Sequence, residues 1–309
     1  MSNHLFDAIK AAGAADDKIF IEALDGGVMH YGDLWRASAQ AANALAALGV
    51  QPGDRIAVQV EKHPLALVVY LACVRAGAIF LPLNTAYTPA EIGYFLGDAE
   101  PRVFICDPAQ RDKLAAVAGE AKVAHVETLG ADGKGTMADR IAAANDHFAD
   151  VARGPDDLAA ILYTSGTTGR SKGAMLSHDN LLSNSRTLKD LWRFTADDVL
   201  IHALPIFHTH GLFVATNILL LAGGKLIFMP KFDADLVMRA MPRATSMMGV
   251  PTFYTRLLLH PDLSRETTRH MRLFVSGSAP LLADTHRDWS ERTGHAILER
   301  YGMTETNMN

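Results

Sequence analysis

Leu158-Ala-Ala-Ile-Leu-Tyr-Thr-Ser-Gly-Thr-Thr-Gly-Arg-Ser-Lys-Gly173 joins an apolar run to a polar loop. The ten residues from Thr164 to Gly173 hold five hydroxyls, three glycines and two cations. The run reads as a buried strand, and a flexible linker would gain nothing from following it directly. Glycines let backbone N–H groups approach an anion, hydroxyls donate further hydrogen bonds, and Lys172 adds a point charge. Together they describe a polyphosphate cradle at a strand end. The loop is not a Walker A motif, because Ser171 precedes Lys172 and Gly173 follows it.

Outward from this loop, short β-branched runs alternate with longer helical patterns, the signature of an α/β fold with mostly parallel sheets. Strands are expected over 56–60, 78–82, 102–106, 158–163, 199–204, 225–229, 245–249, 273–276 and 296–298. Thr88-Pro89-Ala90-Glu91 orders a capping hydroxyl, a first-turn proline and a capping-box glutamate, so a helix starts there. Ser177 and Asp233 read as further caps. Residues 129–157 read as surface connections around one Ala-rich helix. Gly133 to Ala138 matches the dinucleotide fingerprint only loosely, with no strand leading tightly into it.

Composition bounds the classes. The chain has 309 residues, 49% of them apolar, and a net charge of −5, which excludes a disordered chain and a disulfide-stapled domain. A nucleic-acid surface needs clustered positive charge that the sequence lacks. Cys73 and Cys106 are far apart, and Asp7, Lys10, Asp16, Asp17 and Lys18 interrupt the first twenty positions, so a reducing, cytoplasmic location is expected. Residues 199–224 contain no Asp, Glu, Lys or Arg. Pro205, three histidines and Asn217 interrupt them, so they read as a buried strand, a loop and a core helix, not a membrane span.

Three more polar segments follow predicted strands. Leu204-Pro-Ile-Phe-His-Thr-His-Gly211 places His208 and His210 at alternate positions. Zinc would need a third ligand in register, and none is nearby. A histidine lining a substrate pocket, or polar ring packing at a helix start, are the other readings. Val275-Ser-Gly-Ser-Ala-Pro280 and Glu299-Arg-Tyr-Gly-Met-Thr-Glu305 complete the set. Tyr301 offers a flat face for a purine, Thr304 a hydroxyl, and Glu305 a hard oxygen ligand for Mg²⁺. All four segments are expected to point to the carboxyl edge of the sheet, where open α/β folds bind ligands, so one nucleotide site is expected.

These motifs, Tyr163 to Gly173, His208, Gly277 to Pro280 and Tyr301 to Glu305, resemble the adenylate-forming superfamily of acyl-CoA synthetases, luciferases and peptide-synthetase adenylation domains. Among its subfamilies the chain most resembles malonyl-CoA synthetases. The resemblance implies two packed αβα subdomains, about 56–195 and 1–55 with 196–309, forming the N-terminal large domain. It implies a carboxylate attacking the α-phosphate of MgATP to give an acyl-adenylate, then the thiol of coenzyme A displacing AMP. Thr164, Ser165, Gly166, Thr167, Thr168, Gly169 and Lys172 are implied to hold the β- and γ-phosphates. Ser278, Ala279, Pro280 and Tyr301 are to surround adenine, with Glu299, Arg300, Gly302 and Met303 beside them. Thr304 is to meet the α-phosphate, Glu305 to bind Mg²⁺, and His208 to line the junction of acid pocket and thiol route.

Family members continue through a small barrel and a mobile C-terminal domain carrying a ribose-binding Asp and a catalytic lysine, whereas this sequence stops at Asn309. The chain alone is therefore expected to bind nucleotide weakly and to catalyse poorly. A dicarboxylate would need a cation at the far end of a small pocket. Arg243 precedes the strand at 245–249 and is expected at the wrong edge. Arg256 follows it, early in a helix that Pro251 starts, and could grip a second carboxylate bidentately unless it is an exposed helix residue. Ser278 could hydrogen-bond the same group, with Thr209, His210 and Met308 limiting room. Malonate or methylmalonate is the expected acid. An aryl-acid ligase, a carrier-protein loader and a non-catalytic nucleotide-binding module are the rivals.

Overall fold

The computed structural model describes residues 2–24, 26–164 and 170–307. The chain divides into two compact units, residues 1–11 with 32–182, and residues 12–31 with 183–309. This division differs from the subdomain bounds expected from sequence. Residues 32–55 belong to the first unit, because the strand that begins at Arg55 is an inner strand of its sheet.

The second unit is built on β1 (Ile19–Ala23), β2 (Val28–His30), β9 (Val199–His202), β10 (Lys225–Phe228), β11 (Ser246–Gly249), β12 (Leu273–Ser276) and β13 (Ile297–Glu299). Their order is β13-β12-β11-β9-β10-β1-β2, with every neighbouring pair parallel except β1 and β2. The first unit holds β3 (Arg55–Gln59), β4 (Ile79–Pro82), β5 (Val103–Cys106), β6 (His125–Thr128), β7 (Leu158–Thr164) and β8 (Lys172–Ser177). Their order is β6-β5-β3-β4-β7-β8, and only β7 and β8 run antiparallel.

Inner strands such as β4 and β5 are buried on both faces, so their sequences are continuous apolar runs. Helix Pro64–Ala76 is buried almost all round for the same reason. Thr88 caps helix Pro89–Ala99 with both bonds of the capping box formed, and Asp233 caps helix Ala234–Ala240 by accepting from the Leu236 N–H. The core of the second unit centres on Trp289, which meets the rings of Tyr254 and Phe274 edge-on at 5.0 and 4.9 Å. At the amino ends of β9, β11 and β12, Asp198 accepts from Arg272 Nε and Nη2 at 2.7 and 2.8 Å and from the Thr245 hydroxyl at 2.7 Å. Arg243 pairs with Glu22, which Lys225 also meets at 2.8 Å.

Residues 199–224 form β9, a loop and the buried helical run His210–Ala222. Among the described residues, no helix is long and apolar enough to cross a membrane.

Candidate active site

In the second unit, four neighbouring parallel strands deliver the segments singled out from sequence to one edge. β9 leads to His208, β11 to Arg256, β12 to Ser278 and β13 to Tyr301. The segment after β9 turns back through a π-helical turn, His210–Ala215, a geometry that recurs at functional sites. Two side chains hold that turn: His202, at the end of β9, places Nε2 2.8 Å from the Gly211 carbonyl, and the Thr216 hydroxyl donates to the same oxygen at 3.1 Å. A Cβ on residue 211 would lie 2.1 Å from the Pro205 carbonyl oxygen, so only glycine closes the loop.

This neck presents three consecutive side chains differently. His208 is exposed, with its ring against Phe207 at 4.7 Å. Thr209 and His210 are each 2% exposed, and Thr209 Oγ1 and His210 Nε2 have no hydrogen-bond partner among the described residues. Burial, aided by the nearby Arg300 cation, holds the His210 pKa down to about 3, so its ring is neutral at pH 7. Ser278 Oγ lies 3.4 Å from His210 Nδ1, which brings two of the sequence-predicted acid-pocket residues together. A hydroxyl donating to Nδ1 leaves the hydrogen on Nε2, as a free donor.

Ser278 itself has φ +70°, a left-handed conformation uncommon for a residue with a side chain and enriched at binding sites. Ala279 and Pro280 beside it are exposed. The Arg300 guanidinium lies 5.3 Å over the Trp192 ring, and burial lowers its pKa to about 10. Glu299 accepts from the Leu281 N–H at 2.8 Å, and that bond draws its pKa below the usual carboxylate range. It thereby ties the segment after β12 to β13. Beyond it the Tyr301 ring is 81% exposed and Met303 46% exposed, Gly302 is half-buried, and a 3₁₀ turn Thr304–Thr306 presents Glu305 to solvent. Met308 lies outside the described residues.

Arg256 stands on the exposed side of helix Pro251–Leu258, its guanidinium 4.8 Å over the Phe232 ring, which stacks on Phe253. The structure thus gives it an aromatic partner and shows no contact with Ser278 or His210.

The phosphate-loop sequence belongs to the other sheet. Thr164 ends β7 and pairs with Lys172, which begins β8, so the described ends of the segment are the two arms of an antiparallel strand pair. The expected strand-to-edge placement at one sheet with the other three segments is corrected accordingly: two sheets carry the four segments. Ser165, Gly166, Thr167, Thr168 and Gly169 lie outside the described residues, and Lys172 is exposed.

Sequence reasoning missed His202 and Thr216, whose role exists only through the π-helical turn. It also missed a cavity of about 510 Å³ in the first unit, at the carboxyl ends of β3, β4 and β5. Gln59, Glu61, Tyr87, Thr88, Asp107 and Lys113 line it, at the point where the strand order reverses. One of its lining residues, Thr88, was legible as a helix cap; Asp107, which caps a short 3₁₀ turn by accepting from the Ala109 N–H, was not read as one.

The family described as AMP-binding enzyme matches residues 9–309. Feruloyl-CoA synthase of Amycolatopsis sp is 36% identical over 91% of this chain and 55% of its own length. Malonate--CoA ligase of Arabidopsis thaliana is 29% identical over 98% of this chain and 58% of its own. Among solved structures, apo MatB from Rhodopseudomonas palustris is 61% identical with a TM-score of 0.97, covering 100% of this chain and 61% of that one. The same MatB has also been solved with ATP bound, with the same identity and TM-score. The chain therefore spans between 55% and 61% of the length of these relatives.

Proposed function

We propose, from the premise that this chain belongs to the AMP-binding enzyme family, that it activates malonate or methylmalonate as an acyl-adenylate. The acyl group then passes to coenzyme A, with release of AMP and pyrophosphate. The observation that carries the reading is the delivery of His208 and His210 by β9, Ser278 by β12 and Tyr301 by β13 to one edge of the same parallel sheet.

The chemistry follows from what such a site can supply. A carboxylate is a poor acyl electrophile until it carries a better leaving group, and orientation with charge neutralisation accounts for most of the rate in such a displacement. The exposed Tyr301 ring is a stacking surface for adenine, with Ser278, Ala279 and Pro280 along the neighbouring segment. Thr304 contacts the α-phosphate. Thr164, the loop to Gly169 and Lys172 take the β- and γ-phosphates. The residues present suit a metal nucleotide, since the exposed Glu305 is a hard oxygen donor of the kind Mg²⁺ prefers. Mg²⁺, when bound, neutralises phosphate charge. His208, exposed beside Phe207, lines the junction between the acid and the incoming thiol.

The acid pocket divides its work between a neutral and a charged group. His210 is neutral, so it offers a hydrogen bond without compensating charge. The second carboxylate then takes its counter-charge from Arg256, whose guanidinium must leave the Phe232 ring to reach it, with Ser278 and Thr209 as hydroxyl partners and Met308 limiting size. The similarity to MatB and to malonate--CoA ligases supports this choice of acid.

A second reading, activation of an aryl acid, is favoured by the 36% identity to feruloyl-CoA synthases and by the stacking of Arg256 on Phe232. Pyrophosphate exchange measured on the protein with malonate, acetate, octanoate and ferulate separates the two. Malonate should dominate, and a preference for ferulate or octanoate removes the dicarboxylate assignment.

A further inference from the structure

The hairpin that carries the phosphate-loop sequence is tied to a single helix at both of its arms. On the outgoing arm, the Tyr163 hydroxyl at the penultimate position of β7 donates to Asp98 Oδ2 at 2.6 Å. On the returning arm, Ser171 precedes β8, and its carbonyl accepts from the Tyr94 hydroxyl at 2.8 Å. Tyr94 and Asp98 both belong to helix Pro89–Ala99 and are one helical turn apart, so they share a face. The ring of Phe95 sits between them in sequence and packs on Tyr163 at 4.4 Å, with Tyr94 meeting the same ring at 6.3 Å.

Helix Pro89–Ala99 is itself fixed. Its capping box is complete at Thr88 and Glu91, and Ile92, Phe95, Leu96 and Ala99 are buried in the first unit's core. Tyrosine contributes ring packing and one directional hydrogen bond, which makes it suited to tie a strand end to a neighbouring element. The Ser171 carbonyl is joined through its peptide bond to the Lys172 nitrogen, and Thr164 is Lys172's cross-strand partner. Holding Ser171 and Tyr163 therefore holds the backbone from which Thr164 and Lys172 project.

We propose that Tyr94 and Asp98 are positioning residues for Thr164 and Lys172, mooring both arms of the phosphate loop to one helix. The inference rests on the assignment of Lys172 and Thr164 to the terminal phosphates of ATP. Neither Tyr94 nor Asp98 touches nucleotide in this scheme. Their effect is confined to the β- and γ-phosphates, and AMP, which lacks both, is bound without their help.

The test is calorimetric titration of the protein with ATP and, separately, with AMP, for wild type, Tyr94→Phe, Tyr163→Phe, Asp98→Ala and Asp98→Asn. Both Tyr→Phe variants keep the ring contacts and lose only a hydroxyl, and a thermal unfolding midpoint reports that each variant is folded. ATP affinity should fall about five-fold in each Tyr→Phe variant, the size expected for one hydrogen bond, with AMP affinity unchanged. Asp98→Ala should behave like Tyr163→Phe, while Asp98→Asn keeps an acceptor for the hydroxyl and should restore ATP binding. ATP affinities equal to wild type in both Tyr→Phe variants overturn the mooring alone. Equal losses for ATP and AMP also overturn it, since they mark a general structural role. A wild-type protein that binds ATP no more tightly than AMP overturns the phosphate assignment, and the mooring with it.

Discussion

Replacing Gly211 by alanine tests whether the neck after β9 positions the histidines. The added methyl carbon would stand 2.1 Å from the Pro205 carbonyl oxygen and 3.1 Å from Leu204 Cβ. Non-bonded heavy atoms prefer roughly 3.5 Å, so the backbone on one side must move by about 1 Å. Neither side is free to do so. The Gly211 carbonyl is held by His202 and Thr216, and the Leu212 N–H donates to the His208 carbonyl at 2.9 Å. Displacing a buried, hydrogen-bonded turn in this way costs about 2–4 kcal/mol. A 1 Å error at His208 and His210 lowers the adenylation rate by about 100-fold. Gly119→Ala, in helix Arg111–Glu120, is the control, because no described atom beyond its own helix backbone lies within 4 Å of its added methyl carbon. Urea unfolding and pyrophosphate exchange on both variants give the comparison. Gly211→Ala with wild-type stability and rate would falsify the positioning argument.

Three other expectations follow from buried or charged groups. His178 is fully buried, with both ring nitrogens unpartnered among the described residues, and burial holds its pKa down to about 4. The unfolded chain takes up a proton near pH 6.5 while the folded chain waits until about 4, so stability falls as pH drops through that window, by up to about 3 kcal/mol; His178→Leu should shrink the difference between urea midpoints at pH 7.5 and pH 4.5. Arg272→Ala strands the 4%-exposed Asp198 carboxylate without its bidentate partner and should cost about 3 kcal/mol in urea unfolding. Arg256→Ala should reduce malonate-driven exchange far more than acetate-driven exchange, and equal losses would mean that its place over Phe232 is structural.

Much of the fold was legible because inner parallel strands must be apolar throughout. β4 and β5 read as such runs, β10 and β12 do so apart from the terminal Lys225 and Ser276, and the α/β fold of the adenylate-forming N-terminal domain that the motifs implied is the one observed, at a TM-score of 0.97 to MatB. The missed strands mostly lie at sheet edges. β2 has three residues, β6 pairs on one side only, and β8 opens with Lys172 and Gly173 and is fully buried at Leu176 alone, so none shows a continuous apolar signal. β1 is different, since Ile19-Phe20-Ile21 carried the signal without being read. At the site, the pairing of Ser278 with His210 was legible as two residues of one pocket. The π-helical turn was not, because its wide backbone depends on His202 reaching Gly211 from another element. Likewise, nothing in the spacing of Tyr94 and Asp98 announced that they face the arms of the phosphate loop.

A crystal structure of this protein with a non-hydrolysable malonyl-AMP analogue tests the central claim most directly. The account predicts adenine against the Tyr301 ring beside Ser278 to Pro280, with the distal carboxylate within hydrogen-bond reach of His210 Nε2. Density for the nucleotide away from the carboxyl ends of β12 and β13 would contradict it.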